Sequence, residues 1–322
     1  MSQPKIAAGV DLGGTKILSI VATADGRVLA EDRRPTLAAD GPEAVIERIV
    51  ASLRRAIDEA GVTTDAIAGA GISTPGPCDP ARGVVVDAPN LPGWRNVELA
   101  RIVSEQLGAP AVLEHDAAAA CYGEYRYGAG RGYRHIVYAT LGTGIGGGII
   151  IDGRIYGGAT GAAGEIGHII VDPDGPDCNC GSRGCVEAFA SGVAIARDAA
   201  AAMAAGRSSL LAELAEGREP DAELVLAAAQ QGDETAREIL ERAGRYLGLG
   251  LVGVLNSFSP QLLILGGGLV NLGDLYLEPA MQAIREGTLE QVLADVSITK
   301  AELGGRAGAL GAVALVIDQP TS

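Results

Sequence analysis

The hexapeptide DLGGTK occupies residues 11–16, between two apolar runs. An apolar run over residues 5–10 precedes it, a second over 17–22 follows it, and a third begins at Val28 after a short turn. Strands joined by short turns that contain glycine form antiparallel meanders. The sequence therefore predicts a three-stranded meander with residues 11–16 at its first turn.

The chemistry of this turn suits a phosphate. Glycine has no Cβ, so the backbone can approach phosphate oxygens closely, and Thr15 and Lys16 add further donors. Asp11 can hold Mg²⁺ through water, because hard cations prefer carboxylate and phosphate oxygens. An ordinary hairpin turn is the alternative. The predicted phosphate-binding residues are Asp11, Gly13, Gly14, Thr15 and Lys16.

The same pattern starts again in the second half of the chain. A strand over 136–141 is followed by a glycine-rich run and a second strand over 149–151. Glycine loses much backbone entropy on folding, so such a run favours a second phosphate loop over a plain turn. The residues predicted to bind phosphate here are Gly142, Thr143, Gly144, Gly146 and Gly147.

A third glycine run, Gly266, Gly267 and Gly268, follows a predicted strand over 262–265. It offers a flat backbone surface for adenosine, with a tight strand-to-helix turn as the alternative. Helical spacing recurs between the strands and predicts helices over 42–60, 97–107, 233–258, 274–287 and 307–317. This alternation and the repeated meander predict an α/β fold of two similar domains around a cleft, a common place for ligands.

A candidate general base lies at the end of the first half. Glu114-His115-Asp116 follows the predicted strand 111–113 and precedes an alanine-rich helix. A carboxylate at a strand end near a cleft is well placed to take a proton. The alternative role for Asp116 is that of a helix N-cap, for which Asp is a preferred residue, and the two roles are compatible.

A candidate metal site follows in the second half. His168, Cys178, Cys180 and Cys185 match a closed tetrahedral zinc site, with three free thiols as the alternative. Glu165 and Glu187 flank this segment, so zinc binding would bring them together. Carboxylates beside an imidazole suit the hydroxyls of a neutral sugar, whereas a solvated surface position is the usual place of a Glu.

Composition disfavours several classes of protein. The chain of 322 residues has a formal net charge of −15 and 3% aromatic residues. This charge disfavours a nucleic-acid binder or a protein held on an anionic membrane. The N-terminal sequence lacks the pattern of a secretory signal, and the cysteines do not form a disulfide framework, so a cytoplasmic location is expected.

Seven motifs together resemble the ROK family of sugar kinases and repressors. They are DLGGTK at 11–16, STPGP at 73–77, APNLPGW at 88–94, LGTGIGGG at 141–148, GEIGH at 164–168, CNCGSRGCVE at 178–187 and LGGG at 265–268. They occur in the family's order and extend over essentially the whole chain.

The resemblance implies an actin-like ATPase (ribonuclease-H-like) fold and transfer of phosphate from ATP with Mg²⁺ to a sugar. Asp116 would take the proton from the 6-hydroxyl of a hexose. Glu165, His168 and Glu187 would contact the sugar near its anomeric end, with His168 also serving zinc. Gly76 and Asn90 are further sugar-binding candidates by the same resemblance.

One position departs from the family pattern. Family kinases usually have Asn-Asp-Ala-Asn, whereas residues 115–118 here are His-Asp-Ala-Ala. The base is kept, but His115 replaces an Asn expected to bind sugar hydroxyls. Glucose is the first candidate sugar, and N-acetylglucosamine, N-acetylmannosamine, mannose and fructose remain alternatives, as does polyphosphate as a donor.

The resemblance also raises a sugar-sensing transcriptional regulator as an alternative. Such regulators carry a DNA-binding segment before the kinase-like part, and the position of the 11–16 loop together with the acidic charge argues against that class. The expected domains are 1–116 with about 303–322, and 117–302 with the zinc-binding segment 168–185. The expected partners are sugar and ATP, and the expected assembly is a dimer or tetramer.

Overall fold

A computed structural model gives the fold and describes residues 5–319. The strands in this part of the chain are β1 (Ile6–Leu12), β2 (Lys16–Thr23), β3 (Val28–Pro35), β4 (Ala70–Thr74), β5 (Cys78–Asp79), β6 (Val84–Asp87), β7 (Arg95–Val97), β8 (Ala111–His115), β9 (Ile136–Leu141), β10 (Ile145–Ile151), β11 (Arg154–Ile155), β12 (Leu262–Gly266) and β13 (Ser297–Lys300).

The α-helices in the same range are α1 (Pro42–Glu59), α2 (Leu99–Leu107), α3 (Asp116–Tyr127), α4 (Val186–Ala190), α5 (Gly192–Ala204), α6 (Ser209–Ala215), α7 (Ala222–Gln230), α8 (Glu234–Phe258), α9 (Asp274–Gly287), α10 (Glu290–Asp295) and α11 (Ala307–Ile317). Short 3₁₀ helices cover Ala38–Asp40, Thr64–Ala66, Ile166–His168, Gly268–Leu272 and Gly304–Arg306.

The chain divides into two compact units. Unit 1 comprises Met1–Tyr138, Gly148–Gly164 and Ala301–Ser322, and unit 2 comprises Ala139–Gly147 and Glu165–Lys300. The last helix, α11, therefore belongs to the unit that holds the first meander.

Two five-stranded sheets repeat one topology. The first has the order β3-β2-β1-β4-β8 and the second has the order β11-β10-β9-β12-β13. Each begins with three consecutive strands joined by short turns and continues with two strands from later in the chain. The predicted repeat and the predicted α/β class are confirmed, because strands and helices alternate as the sequence pattern indicates. A small third sheet has the order β5-β6-β7.

The central strands of the first sheet are buried on both faces. Ala8, Val10 and Leu12 of β1 join the core that includes α1 and α2, whereas Ala7 joins a second core with α11. Because side chains alternate along a strand, Asp11 falls on the same face as Ala7. The edge strand β3 is only partly buried and carries the charged run at 31–34, which discourages pairing with another chain.

Glycine allows α11 to lie very close to this sheet. Gly9 of β1 and Gly71 of β4 are register partners. A Cβ added at Gly9 would lie 2.2 Å from the carbonyl oxygen of Ala309, and one at Gly71 would lie 1.9 Å from that of Ala312. Both strands therefore need glycine where the backbone of the helix packs on them.

Two strand boundaries differ from the prediction. The apolar run over residues 67–72 predicts a strand from Ile67, but β4 begins at Ala70, because a 3₁₀ helix ending at Ala66 and a short connection occupy the preceding residues. β10 begins at Ile145 rather than Ile149, so three glycines predicted as loop are part of a strand. Gly148 is required there by packing, since an added Cβ would lie 2.4 Å from Cβ of Cys121.

We expect Gly71→Ala to lower the free energy of unfolding by about 1–3 kcal/mol, the usual cost of overpacking a tight core. The physical reason is the 1.9 Å approach to the Ala312 carbonyl, which forces α11 away from the sheet. Denaturant unfolding followed by circular dichroism measures the change. The control is Gly253→Ala on α8, where an added Cβ meets no described atom within 4 Å and helix propensity favours alanine. Equal unfolding midpoints for the two variants would contradict the contact.

Candidate active site and candidate metal centre

Three parallel strands of unit 1 end at one edge of the first sheet. β1 pairs with β4 and β4 pairs with β8, and Asp11, Ser73 and Glu114 occupy one register row across them. Ligands of open α/β sheets bind at the carboxyl ends of the strands. Asp116 follows β8 directly, so the structure brings two predicted site residues, Asp11 and Asp116, to the same edge.

The Asp11 carboxylate is held by a buried hydroxyl. Ser73 Oγ donates a hydrogen bond of 2.6 Å to Asp11 Oδ1. Burial raises the pKa of Asp11, the Ser73 hydrogen bond opposes that shift, the charge of Asp116 adds to it, and the charge of Lys16 opposes it. The two aspartates therefore interact electrostatically within unit 1.

The first glycine turn is exposed and is held by its own backbone. The N–H of Gly13 donates to the carbonyl of Lys16 at 2.9 Å, and Thr36 Oγ1 donates to the carbonyl of Gly13 at 2.6 Å. The N–H of Thr36 donates to the carbonyl of Thr15 at 2.9 Å. Gly13 thus shapes the turn. The groups of this loop that would donate hydrogen bonds to a phosphate belong to Gly14, Thr15 and Lys16.

Asp116 is the first residue of α3, and its side chain is 47% exposed. The N-cap position belongs to His115, so the prediction of Asp116 as the N-cap is wrong by one residue, although Asp116 Oδ1 accepts the N–H of Ala117 at 2.6 Å. His115 Nδ1 lies 3.4 Å from Asp116 Oδ1. A half-exposed carboxylate beside an imidazole at a helix start can accept a proton from a bound hydroxyl.

Glu114, two residues before Asp116, is also partly buried. Its Oε1 accepts the N–H of His115 at 2.8 Å, and burial raises the pKa of its carboxyl group. Burial therefore opposes ionisation of Glu114, whereas the side chain of Asp116 is 47% exposed.

The two further sugar-binding candidates of unit 1, Gly76 and Asn90, lie near His115 and near the first glycine turn. A Cβ added at Gly76 would lie 2.8 Å from Cδ2 of His115, so Gly76 gives the imidazole its room. A Cβ added at Gly14 would lie 3.6 Å from Cβ of Asn90, which places Asn90 beside the first glycine turn.

The second glycine turn, residues 142–144, is braced by a carboxylate. Glu187 Oε2 accepts the N–H of Ile145 at 2.8 Å, and a Cβ added at Gly144 would lie 2.5 Å from the same oxygen. The N–H of Gly192 donates to the carbonyl of Gly142 at 2.8 Å. Gly144 is thus required by Glu187, and Gly146 and Gly147 lie in β10 beyond the turn.

In the third glycine run, residues 266–268, close packing explains the central glycine. Gly266 ends β12, and Gly268 begins a 3₁₀ helix. Gly267 has φ +88°, and an added Cβ would lie 2.2 Å from the carbonyl oxygen of Leu141. A tight turn packed on β9 accounts for Gly267, and a role for the run in binding adenosine stays a prediction.

The four predicted metal ligands converge in unit 2. The ligand atoms of His168, Cys178, Cys180 and Cys185 all lie within 4.8 Å of one another. His168 Nδ1 is 3.6 Å from Cys178 Sγ, and Cys180 Sγ is 3.8 Å from Cys185 Sγ. Tetrahedral zinc with bonds of about 2.3 Å to sulfur and about 2.0–2.1 Å to nitrogen gives separations of about 3.6 Å and about 3.8 Å for such pairs. The donor set and its spacing therefore fit a zinc ion.

His168 presents its other nitrogen to a predicted sugar-binding residue. Its Nε2 lies 3.9 Å from Glu165 Oε2, while Nδ1 faces the thiols. One imidazole can therefore serve a metal and a second partner at once, each through a different ring nitrogen. Glu165 is exposed at the start of the 3₁₀ helix 166–168.

Sequence reasoning missed three residues that shape the surroundings of Asp11 and of the first glycine turn in unit 1. Ser73 and Gly308 lie against Asp11, and Thr36 ties the first glycine turn to the start of the connection after β3. Glycines inside strands, at Gly9 and Gly71, are a sequence signal of close backbone approach and point to a helix packed there. Nothing in the local pattern around Ser73 or Thr36 identifies its partner.

Known proteins match this chain over nearly its whole length. The model of the ROK family matches residues 7–319. This chain belongs to the ROK family. A glucokinase from Thermotoga maritima is 38% identical over 309 residues, which cover 96% of this chain and 96% of that protein.

Two further relatives differ in what their names say. The crystal structure of a ROK family glucokinase from Streptomyces griseus, in complex with glucose and AMPPNP, is 37% identical with a TM-score of 0.82 and covers 96% of this chain and 98% of that chain. A putative xylose repressor from Caldicellulosiruptor is 31% identical and covers 96% of this chain and 77% of that protein. The relatives of this chain therefore include both enzymes and regulators.

The ROK structures confirm the predicted actin-like ATPase fold class. Within residues 5–319, no helix has the length and apolar character needed to cross a membrane. The roles of the individual site residues are predictions that neither the fold nor the family membership tests.

We expect the purified ROK protein to hold about one zinc ion per chain and Cys180→Ser to lose it, with a lower melting temperature, because structural metal binding is part of the folding energy. Elemental analysis under reducing, chelator-free conditions measures the zinc. The control is Cys121→Ala, which removes a buried thiol outside the cluster and should cost stability without costing zinc. A wild-type protein without zinc, or a Cys180→Ser variant with the full amount, would contradict the site.

Proposed function

We propose that this protein is an ATP-dependent sugar kinase that phosphorylates the 6-hydroxyl of a hexose, with glucose as the substrate. The observation that carries the proposal is the half-exposed carboxylate of Asp116 at the strand edge that also holds Asp11. Membership of a family with glucokinases at 38% identity supports the reaction and the sugar.

Asp116 is the proposed catalytic base. It would accept the proton of the sugar hydroxyl as the oxygen attacks the γ-phosphate, and His115, at 3.4 Å, would hold its carboxylate in place. Phosphoryl transfer depends mainly on positioning and on charge neutralisation. Lys16 and the N–H groups of Gly14 and Thr15 would bind phosphate oxygens at the exposed first turn.

The residues of unit 2 would serve the nucleotide and the anomeric end of the sugar. Gly142, Thr143 and Gly144 form the second turn, whose shape Glu187 maintains. Glu165 and His168 would bind sugar hydroxyls, because a carboxylate accepts and an imidazole donates or accepts hydrogen bonds. Gly146 and Gly147 would contribute indirectly, as part of strand β10, which follows the turn. Residues 266–268 would line the adenosine site.

The proposed cofactors have fitting residues. Mg²⁺ supplied with ATP neutralises phosphate charge, and the Asp11 carboxylate offers the oxygen chemistry that this cation prefers. Structural zinc would be held by His168, Cys178, Cys180 and Cys185, whose ligand atoms lie within 4.8 Å. Two of these thiols are buried, and burial raises the pKa of Cys185 to about 12, a shift that a bound cation would reverse.

The same proposal includes the location, the metabolic role, the assembly and the domain boundaries of the protein. We infer a cytoplasmic enzyme of carbohydrate metabolism that feeds glycolysis and works as a dimer or tetramer. The domain boundaries 1–116 with about 303–322, and 117–302, remain part of the proposal. A sugar-sensing regulator is the competing function, supported by the putative xylose repressor relative, and such a protein needs no general base.

A coupled assay of ADP release with Mg-ATP tests the proposed function. Glucose, mannose, fructose, N-acetylglucosamine and N-acetylmannosamine are compared at equal concentration. We expect glucose to give the highest kcat/KM, with kcat in the ordinary kinase range of about 1–100 s⁻¹. Another preferred sugar would reassign the substrate and point to His115 as the cause. No turnover on any sugar by folded protein would favour the regulator.

Asp116→Asn should keep the fold and lower kcat by about 10²–10⁴-fold, since a positioned base contributes that much. Asp65→Asn is the matched control, because Asp65 is an exposed residue of the same unit in a short 3₁₀ helix that leads into the amino-terminal end of β4, opposite the carboxyl edge of the sheet. Melting temperatures of both variants check the fold. A kcat for Asp116→Asn within about threefold of the wild type would remove the assignment.

A further inference from the structure

Asp11 lies in an unusual place for a residue that is to meet a cation. Its carboxylate is on the sheet face that α11 covers, and burial raises its pKa. A buried carboxylate is costly unless other groups hydrogen-bond to it or counter its charge. Two features of unit 1 stabilise the Asp11 carboxylate, and both depend on residues that are distant from Asp11 in the chain.

The first feature is the hydroxyl of Ser73. The residue is fully buried in β4 and is the register partner of Asp11 in the adjacent parallel strand. Its Oγ donates to Asp11 Oδ1 at 2.6 Å, a short bond of the kind expected for an ionised acceptor. The bond fixes one oxygen and so fixes the direction of the other oxygen, Oδ2.

The second feature is the first turn of α11. A Cβ added at Gly308 would lie 2.5 Å from Asp11 Oδ1, 2.8 Å from Asp11 Cγ and 3.0 Å from Ser73 Oγ. Only glycine leaves room for the carboxylate at this point. The N–H groups in the first turn of a helix carry partial positive charge, which favours an anion beside them.

We infer that Ser73 and Gly308 form a socket that orients the Asp11 carboxylate toward Mg-ATP, which makes Ser73 a positioning residue. The inference rests on the proposed kinase function. Asp11 lies two residues before the first glycine turn, of which Gly14 and Thr15 are exposed, so an oriented Oδ2 would face the nucleotide phosphates and their cation through water. Without the socket the carboxylate rotates or moves, and the binding of the metal nucleotide suffers before the binding of sugar does.

The first test is Ser73→Ala, with Ser19→Ala as its matched control. Ser19 is also a fully buried serine of the first sheet, in β2, but its Oγ has no hydrogen-bond partner within residues 5–319. Both changes remove the same atom from the same sheet, and only one removes a bond to Asp11. Unfolding midpoints report the structural cost of each.

The metal-specific readout is calorimetric binding of AMPPNP with Mg²⁺ and with excess EDTA. For Ser73→Ala we expect at least a fivefold weaker affinity for Mg-AMPPNP, since a hydrogen bond to a charged group is worth roughly that factor or more. Metal-free AMPPNP should bind within about twofold of the wild type by the same reasoning. In turnover, the Mg²⁺ concentration for half-maximal rate should rise while KM for the sugar stays unchanged.

The second test approaches the socket from the helix. Gly308→Ala should cause the same selective loss of Mg-AMPPNP affinity, because its Cβ must displace the carboxylate. Gly253→Ala is its control, a helical glycine whose added Cβ meets no described atom within 4 Å. This pair keeps the inference testable if Ser73→Ala does not fold.

The outcomes separate the inference from the function on which it rests. A wild-type protein that binds no Mg-AMPPNP and phosphorylates no sugar would overturn the proposed function. An active wild type in which Ser73→Ala matches Ser19→Ala, and Gly308→Ala matches Gly253→Ala, in Mg-AMPPNP affinity would overturn the socket. Equal losses with and without Mg²⁺ would also overturn it, because they indicate a general structural defect.

Discussion

The close contact between α11 and the first sheet is the constraint on which unit 1 depends. Gly9 and Gly71 are register partners, and a side chain at either would collide with a carbonyl of the helix. The contact removes apolar surface of both elements from water, which stabilises the unit. It also covers the face of the sheet that carries Asp11, so the packing that stabilises the sheet shapes the environment of the carboxylate proposed to serve the metal nucleotide.

The glycine-rich motifs of this chain mix chemical and structural requirements. Gly144 makes room for the carboxylate of Glu187, Gly148 for Cys121 and Gly267 for the backbone of β9. Gly14 has no such close contact, since an added Cβ would meet Asn90 at the ordinary distance of 3.6 Å. Some glycines in these runs are therefore required because a side chain would collide with a neighbouring group. The exposed turns are the parts of the backbone that a phosphate can approach.

The thiol cluster and the second glycine turn are parts of one local structure. Cys185 is the N-cap residue of α4, and Glu187 in the first turn of that helix accepts the N–H of Ile145. Gly167, next to the ligand His168, lies so close to Ile145 that an added Cβ would be 2.1 Å from its carbonyl oxygen. A zinc ion that orders the segment would therefore also order the turn, and Glu187 connects the two.

The amino-acid sequence determined the repeated meander, the long helices such as Glu234–Phe258, the four clustered ligands and the place of Asp116 after a strand, because these depend on spacing over a few residues. Tertiary structure decided the partners. Asp11 meets Ser73 and Gly308 across separations of 62 and nearly 300 residues, and no local pattern encodes such a pairing. Strand register and helix packing bring these groups together, and both arise only when the whole core is buried.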